Sequence, residues 1–152
     1  MSSKQSRSAI VAVACALVAS SAHNAVARPA AIDPCTLLTA DEVKAVTGVD
    51  VPAGSPISKT SCFWKSPKAR TTVTVSLEPV ASWEKMKAAF PTVPKKPASV
   101  GDDAFYENWG TYSTLGVKKG GTVFIVKVYG VDATDKQEQF EKALALDVIK
   151  HL

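Results

Sequence analysis

The residues able to do chemistry are few and widely spaced. Cys35 and Cys62 are two of three cysteines, the third being Cys15 in an apolar run near the start of the chain. Their spacing is not Cys-x-x-Cys, so a dithiol redox centre is not indicated, and an even pair in an exported chain most often forms a disulfide. Nucleophilic catalysis needs a base beside the nucleophile. Beyond the leader described below the only imidazole is His151, expected to be solvated or to pack, and it leaves a zinc site poorly supported. No Gly-x-Ser-x-Gly occurs, and Lys119-Gly120-Gly121 is too short to cradle phosphate. No cofactor, metal or catalytic residue is expected.

Two clusters remain. Asp102, Asp103 and Glu107 offer carboxylates for acid–base work or calcium, provided several strands converge on a cleft. Neighbours on a strand point to opposite faces, so a solvated turn before a strand is the favoured reading. An envelope hydrolase or lyase that uses these carboxylates is kept as the alternative. The stretch Glu107-Asn108-Trp109-Gly110-Thr111-Tyr112 is the better place for binding, because large aromatics in a Gly-containing loop between strands are harder to dismiss as core. Trp109 and Tyr112 are candidates to stack on a ring or anchor a protein partner, with Lys118 and Lys119 expected nearby on the following hairpin. Against this stands the possibility that Trp109 folds back onto the sheet.

The compartment is legible in the amino-terminal residues. Lys4 and Arg7 precede the apolar run 9–19, and Ala25-Val26-Ala27 places a predicted leader cleavage before Arg28. That run is too short to span a bilayer as a helix. Ala12-Val13-Ala14-Cys15 only loosely matches a lipid-attachment box, so a lipid-anchored form is the minor alternative. The chain has 152 residues and a net charge of +4, which loss of Lys4 and Arg7 lowers to +2. Such a near-balanced domain predicts no nucleic-acid partner. Residues 28–32 form a flexible lead-in and 33–152 one domain, long enough to bury a proper core and expected to be monomeric.

The elements that must position these residues follow in order. Asp33 caps a turn with Pro34 at its first position. Thr39-Ala40-Asp41-Glu42 is a capping box, and Gly48 stops the helix it opens. Residues 51–59, with two prolines and a glycine, read as loop. Ser61–Lys65 and Thr71–Leu77 form an antiparallel hairpin, the second strand alternating cleanly with one buried face. A second helix begins at Ser82, with Trp83, Met86 and Phe90 at core spacing. Pro91, Pro94 and Pro97 impose an extended connector. Three strands follow at 103–107, 113–118 and 122–129, the last two joined by a tight turn at Gly120-Gly121. Phe124, Val126 and Val128 face one side of the final strand, and Val123 and Ile125 make the other side apolar too, which belongs mid-sheet. Thr134-Asp135-Lys136-Gln137 caps a long last helix whose stripe comprises Phe140, Leu144, Ala145, Val148, Ile149 and Leu152. The expected fold is α+β, in the order α-β-β-α-β-β-β-α, with one antiparallel sheet of about five strands and helices packed on one face.

Asp33-Pro34-Cys35 with Leu37-Leu38, the stretch Thr39 to Val43, Gly48 and Cys62-x-Trp64 together resemble the opening of the secreted, often lipid-anchored bacterial family known as domain of unknown function 3558. Val100 to Ala104 and the strand Gly121 to Val128 are similar to its second half. The resemblance implies a Cys35–Cys62 disulfide, a compact α+β domain and export, periplasmic or extracellular. It brings no established chemistry and therefore no catalytic residue. More remotely, the layout is similar to extracellular sensor domains of bacterial receptor kinases. The function expected from all of this is non-catalytic binding or sensing of an envelope protein or small ligand. A secreted inhibitor of an envelope hydrolase is a third possibility.

Overall fold

The computed structural model describes residues 31–152. The leader, Cys15 and most of the lead-in lie outside the described residues. Three helices, α1 (Ala40–Thr47), α2 (Trp83–Ala88) and α3 (Thr134–Lys150), accompany seven strands. The strands are β1 (Ser55–Ser58), β2 (Ser61–Lys65), β3 (Thr72–Glu78), β4 (Lys95–Pro97), β5 (Asp103–Asn108), β6 (Ser113–Lys119) and β7 (Thr122–Tyr129). They form one antiparallel sheet in the order β1-β2-β3-β7-β6-β5-β4.

The sheet thus has seven strands where the sequence predicts about five. Both extra strands are edges, and both carry a proline, Pro56 in β1 and Pro97 in β4. Proline removes a ladder donor and is confined to edges, so the residue that makes a segment read as loop is the one an edge tolerates. The doubly apolar β7 sits between β3 and β6, as its pattern requires.

A second correction concerns the helices. Cys62, Val75, Val126, Leu115 and Tyr106 run across one face and join Leu37, Leu38 and Val43 beside α1, and Leu144, Ala145 and Val148 of α3, in the main core. Helix α2 lies on the other face, where Trp83 packs on Phe105 and Val123 with Met86 alongside. The apolar residues that β5 and β7 present on that side are what bring it there.

Local signals explain the ends of α1. Thr39 and Glu42 form the reciprocal capping box and Gly48 ends the helix at φ 72°, while Asp33 Oδ1 accepts from the Cys35 N–H at 2.9 Å. The start of α3 differs from its prediction. Ala133 is the N-cap, one residue before the expected Thr134, and its methyl side chain offers no acceptor; Gln137 is used elsewhere. Its Oε1 accepts from the Ser113 N–H at 3.1 Å and its Nε2 donates to the Val131 carbonyl at 2.9 Å. Leu152, expected in the buried stripe, is exposed, whereas Gln137 and Glu141 are buried. The Cys35–Cys62 disulfide is present, with Cα atoms 5.1 Å apart, and ties the turn before α1 to β2.

Candidate functional site

The β5–β6 connection is short and tightly held. The Trp109 N–H donates to the Tyr112 carbonyl at 2.9 Å, and Asn108 Oδ1 accepts from the Gly110 N–H at 2.8 Å. Gly110 takes φ 87°, a value open to glycine at little cost. Closing the loop this way sets Trp109 beside Tyr112, with ring centroids 6.0 Å apart and planes within 11°. Phe90 meets Trp109 edge-on at 5.0 Å, and Tyr129 extends the row from Tyr112 at 5.5 Å. Trp109 and Tyr112 are half-buried, neither folded into the core nor free in solvent.

Phe90 is a correction to the predicted core stripe of the second helix. It is 56% exposed and stands beyond the end of α2 at φ 50°, the one non-glycine residue with positive φ among those described. Pro91 disfavours continuation of the helix through it. A bulky residue in this region is costly and must be held by its surroundings. Lys95 supplies the hold: its Nζ donates to the carbonyls of Ala89 and Phe90 and lies 3.5 Å from Glu107 Oε1.

Between these aromatics and the sheet lies a cleft of about 290 Å³. Met86, Ala89 and Phe90 form one wall and Trp109 and Tyr112 another; Phe105, Gly116 and Ile125 make the floor. Gly116 pairs with Phe105 on one side and Ile125 on the other. A β-carbon there would touch the Phe105 ring at 3.4 Å, so the absence of a side chain deepens the floor between two large apolar neighbours. Beside this row are Glu107, Thr114 and Lys127, the polar lining. Glu107 faces Lys95 and Thr114 in the ladder. Lys127 stands opposite Thr74 on β3, and its ammonium makes no salt bridge among the described residues.

Of the predicted binding residues, the structure brings Trp109 and Tyr112 together and separates them from Lys118 and Lys119. Strand β6 runs away from the loop, so its far end lies about 20 Å off at the usual rise per residue. Lys119 there pairs with Asp102 at 2.9 Å, and Lys118 stands between Asp103 and Val123 in the register. The cation at the cleft is instead Lys127. Its signal in the sequence was a lysine on the apolar second face of the central strand, in step with Val123 and Ile125.

The three carboxylates do not converge. Asp102 accepts from the Gly120 N–H at 2.6 Å and from Lys119, and those contacts, the backbone one foremost, hold its pKa below the usual value. Asp103 is held low by Lys87 and then by the Trp83 indole N–H, at 2.9 and 3.0 Å. Stabilised carboxylates of this kind are the reverse of a poised general acid. His151 contacts Glu42 at 2.8 Å, joining the end of α3 to α1. Among the described residues no group of three or more His, Cys, Asp or Glu is placed to hold a metal ion, and no helix is long and apolar enough to cross a membrane.

Comparison with family models, with curated proteins and with solved structures returns no match to this chain.

Proposed function

We propose that this is an exported, non-catalytic domain that binds a cell-envelope partner or small ligand in the cleft beneath Phe90, Trp109 and Tyr112. The observation that carries the reading is the stacked Trp109–Tyr112 pair, half-buried beside an open apolar floor. Ring pairs that serve only as core are sealed. This pair is fixed by backbone hydrogen bonds and still presents a surface, so little ordering cost falls on binding. Export is supported by the leader pattern at 1–27 and fits a disulfide-bonded chain. The Asp33-Pro34-Cys35 to Cys62-x-Trp64 framework supports membership of the domain of unknown function 3558 family.

The test is a fragment screen followed by backbone and indole NMR on the oxidised protein. Binders are expected to shift Trp109, Tyr112 and Gly116 as one cluster. Trp109→Ala should weaken them by about thirtyfold, the scale of a buried aromatic anchor. Hits distributed over the surface, or unchanged by that substitution in a folded variant, would remove the cleft as the binding site.

A further inference from the structure

The polar half of the cleft specifies a charge. Among the described residues Lys127 is the one cation lining it, and its ammonium is held in no salt bridge. Glu107, the one carboxylate in the lining among the described residues, is already matched by Lys95. Thr114 is 5% exposed, yet its hydroxyl has no hydrogen-bond partner among the described residues and is not sealed from solvent. An ammonium and a free hydroxyl therefore stand on neighbouring strands at one side of an apolar floor. From these we infer that the cleft takes a small amphipathic anion, a carboxylate or similar acid carried on an aromatic or short acyl body. Its charged end meets Lys127 and Thr114, and its body lies over Gly116 between Phe105 and the Trp109–Phe90 wall.

This assignment rests on the binding reading above and narrows it. The volume suits a body of one ring or a short chain, since about 290 Å³ stands at the lower end of known small-molecule sites. A cationic guest would find the aromatic rings it favours, but also the Lys127 ammonium, free of any salt bridge, beside the floor. An ammonium partly withdrawn from water gains most from an anion that also accepts a second hydrogen bond.

Calorimetric titration of the oxidised chain with phenylbutanoate, phenylbutanol and phenylbutylammonium tests it, because the three share a body and differ in charge. The acid is expected to bind about tenfold more tightly than the alcohol, as for one charge-assisted hydrogen bond, with the amine weakest. Lys127→Gln should bring the acid down to the alcohol and leave the alcohol unchanged, whereas Lys127→Arg should keep the preference. Equal binding of acid and alcohol, or an amine that binds best, overturns the anionic assignment while the cleft survives as a binding site. Saturable binding by none of the three overturns both. Self-association that competes with the acid gives the cleft to a second copy of the chain and likewise overturns the assignment. If Lys127→Gln fails to fold, the ranking of the three probes on the parent protein and on Lys127→Arg decides.

Discussion

Glu141 is the residue whose chemistry is most altered by the fold. It lies fully buried on α3, with Oε2 accepting from Ser113 Oγ at 2.8 Å and Oε1 from the Val128 N–H at 3.2 Å. The β6–β7 ladder begins at Leu115 and Val126, so the last backbone donors of the pair turn to α3, and Gln137 and Glu141 receive them one helical turn apart. Burial dominates those two bonds and, with some repulsion from Glu138 and a partial offset from Lys127, pushes the carboxyl up to about 7. A folded-state pKa above the unfolded one gives stability that is complete at low pH and lost as pH rises through the folded value. Over that range the loss is on the order of 3 kcal/mol. Unfolding temperature is therefore expected to fall between about pH 5 and 8 and then level off. In Glu141→Gln the amide can accept from Val128 and donate to Ser113, so the variant should be flat across the same window and more stable than the parent at its upper end. An equal fall in both proteins would show that Glu141 is not the group responsible.

At the scale of elements, Gly116 is where strand geometry and site geometry meet. It has the central position on the second face of β6, and its φ is one that other residues adopt. Valine is a better strand former than glycine, and its methyl groups would rise into the cleft against Phe105. Gly116→Val is thus expected to keep the fold, with thermal stability equal or higher, and to abolish phenylbutanoate binding. A stable variant that still binds would place the ligand away from the floor. The same element shows why the fold was largely legible and the site only half so. The alternation of β3 and β7, the Thr39–Glu42 box and the cysteine pair each report on their own few residues, and each is where the sequence puts it. Strands β1 and β4 escaped because local residues read as a loop at Ser55–Ser58 and as an extended connector at Lys95–Pro97, and only pairing with a neighbour makes either a strand. Trp109 and Tyr112 stood out as aromatics in a turn. Phe90 and Lys127 did not: one reaches the cleft only because Pro91 and Lys95 turn it out of the helical stripe, and the other only because α2 crosses that face and leaves it uncovered.

At the scale of the whole described domain, the main core and the proposed binding cleft lie on opposite faces of one sheet. One face holds α1, α3 and the disulfide-bearing turn over the main core; the other holds α2 and the cleft. On the proposed binding reading, stability and binding are then expected to be separable. The disulfide closes a span of 27 residues and, in the chain-entropy account, stabilises by about 3–4 kcal/mol through the unfolded state. The double variant Cys35→Ser, Cys62→Ser should unfold at lower urea, less stable by that much free energy, and with a somewhat steeper denaturant slope because the freed denatured chain exposes more surface. Below its transition it should bind phenylbutanoate with the parent's affinity, because Trp109, Tyr112, Gly116 and Lys127 sit on strands and a loop that the cross-link does not touch. A large loss of affinity in the folded double variant would mean that the two faces are coupled through β3 and β7. A loss of stability below about 1 kcal/mol would mean that the packing of Leu37, Leu38 and Val43 already holds the amino-terminal turn without the covalent tie.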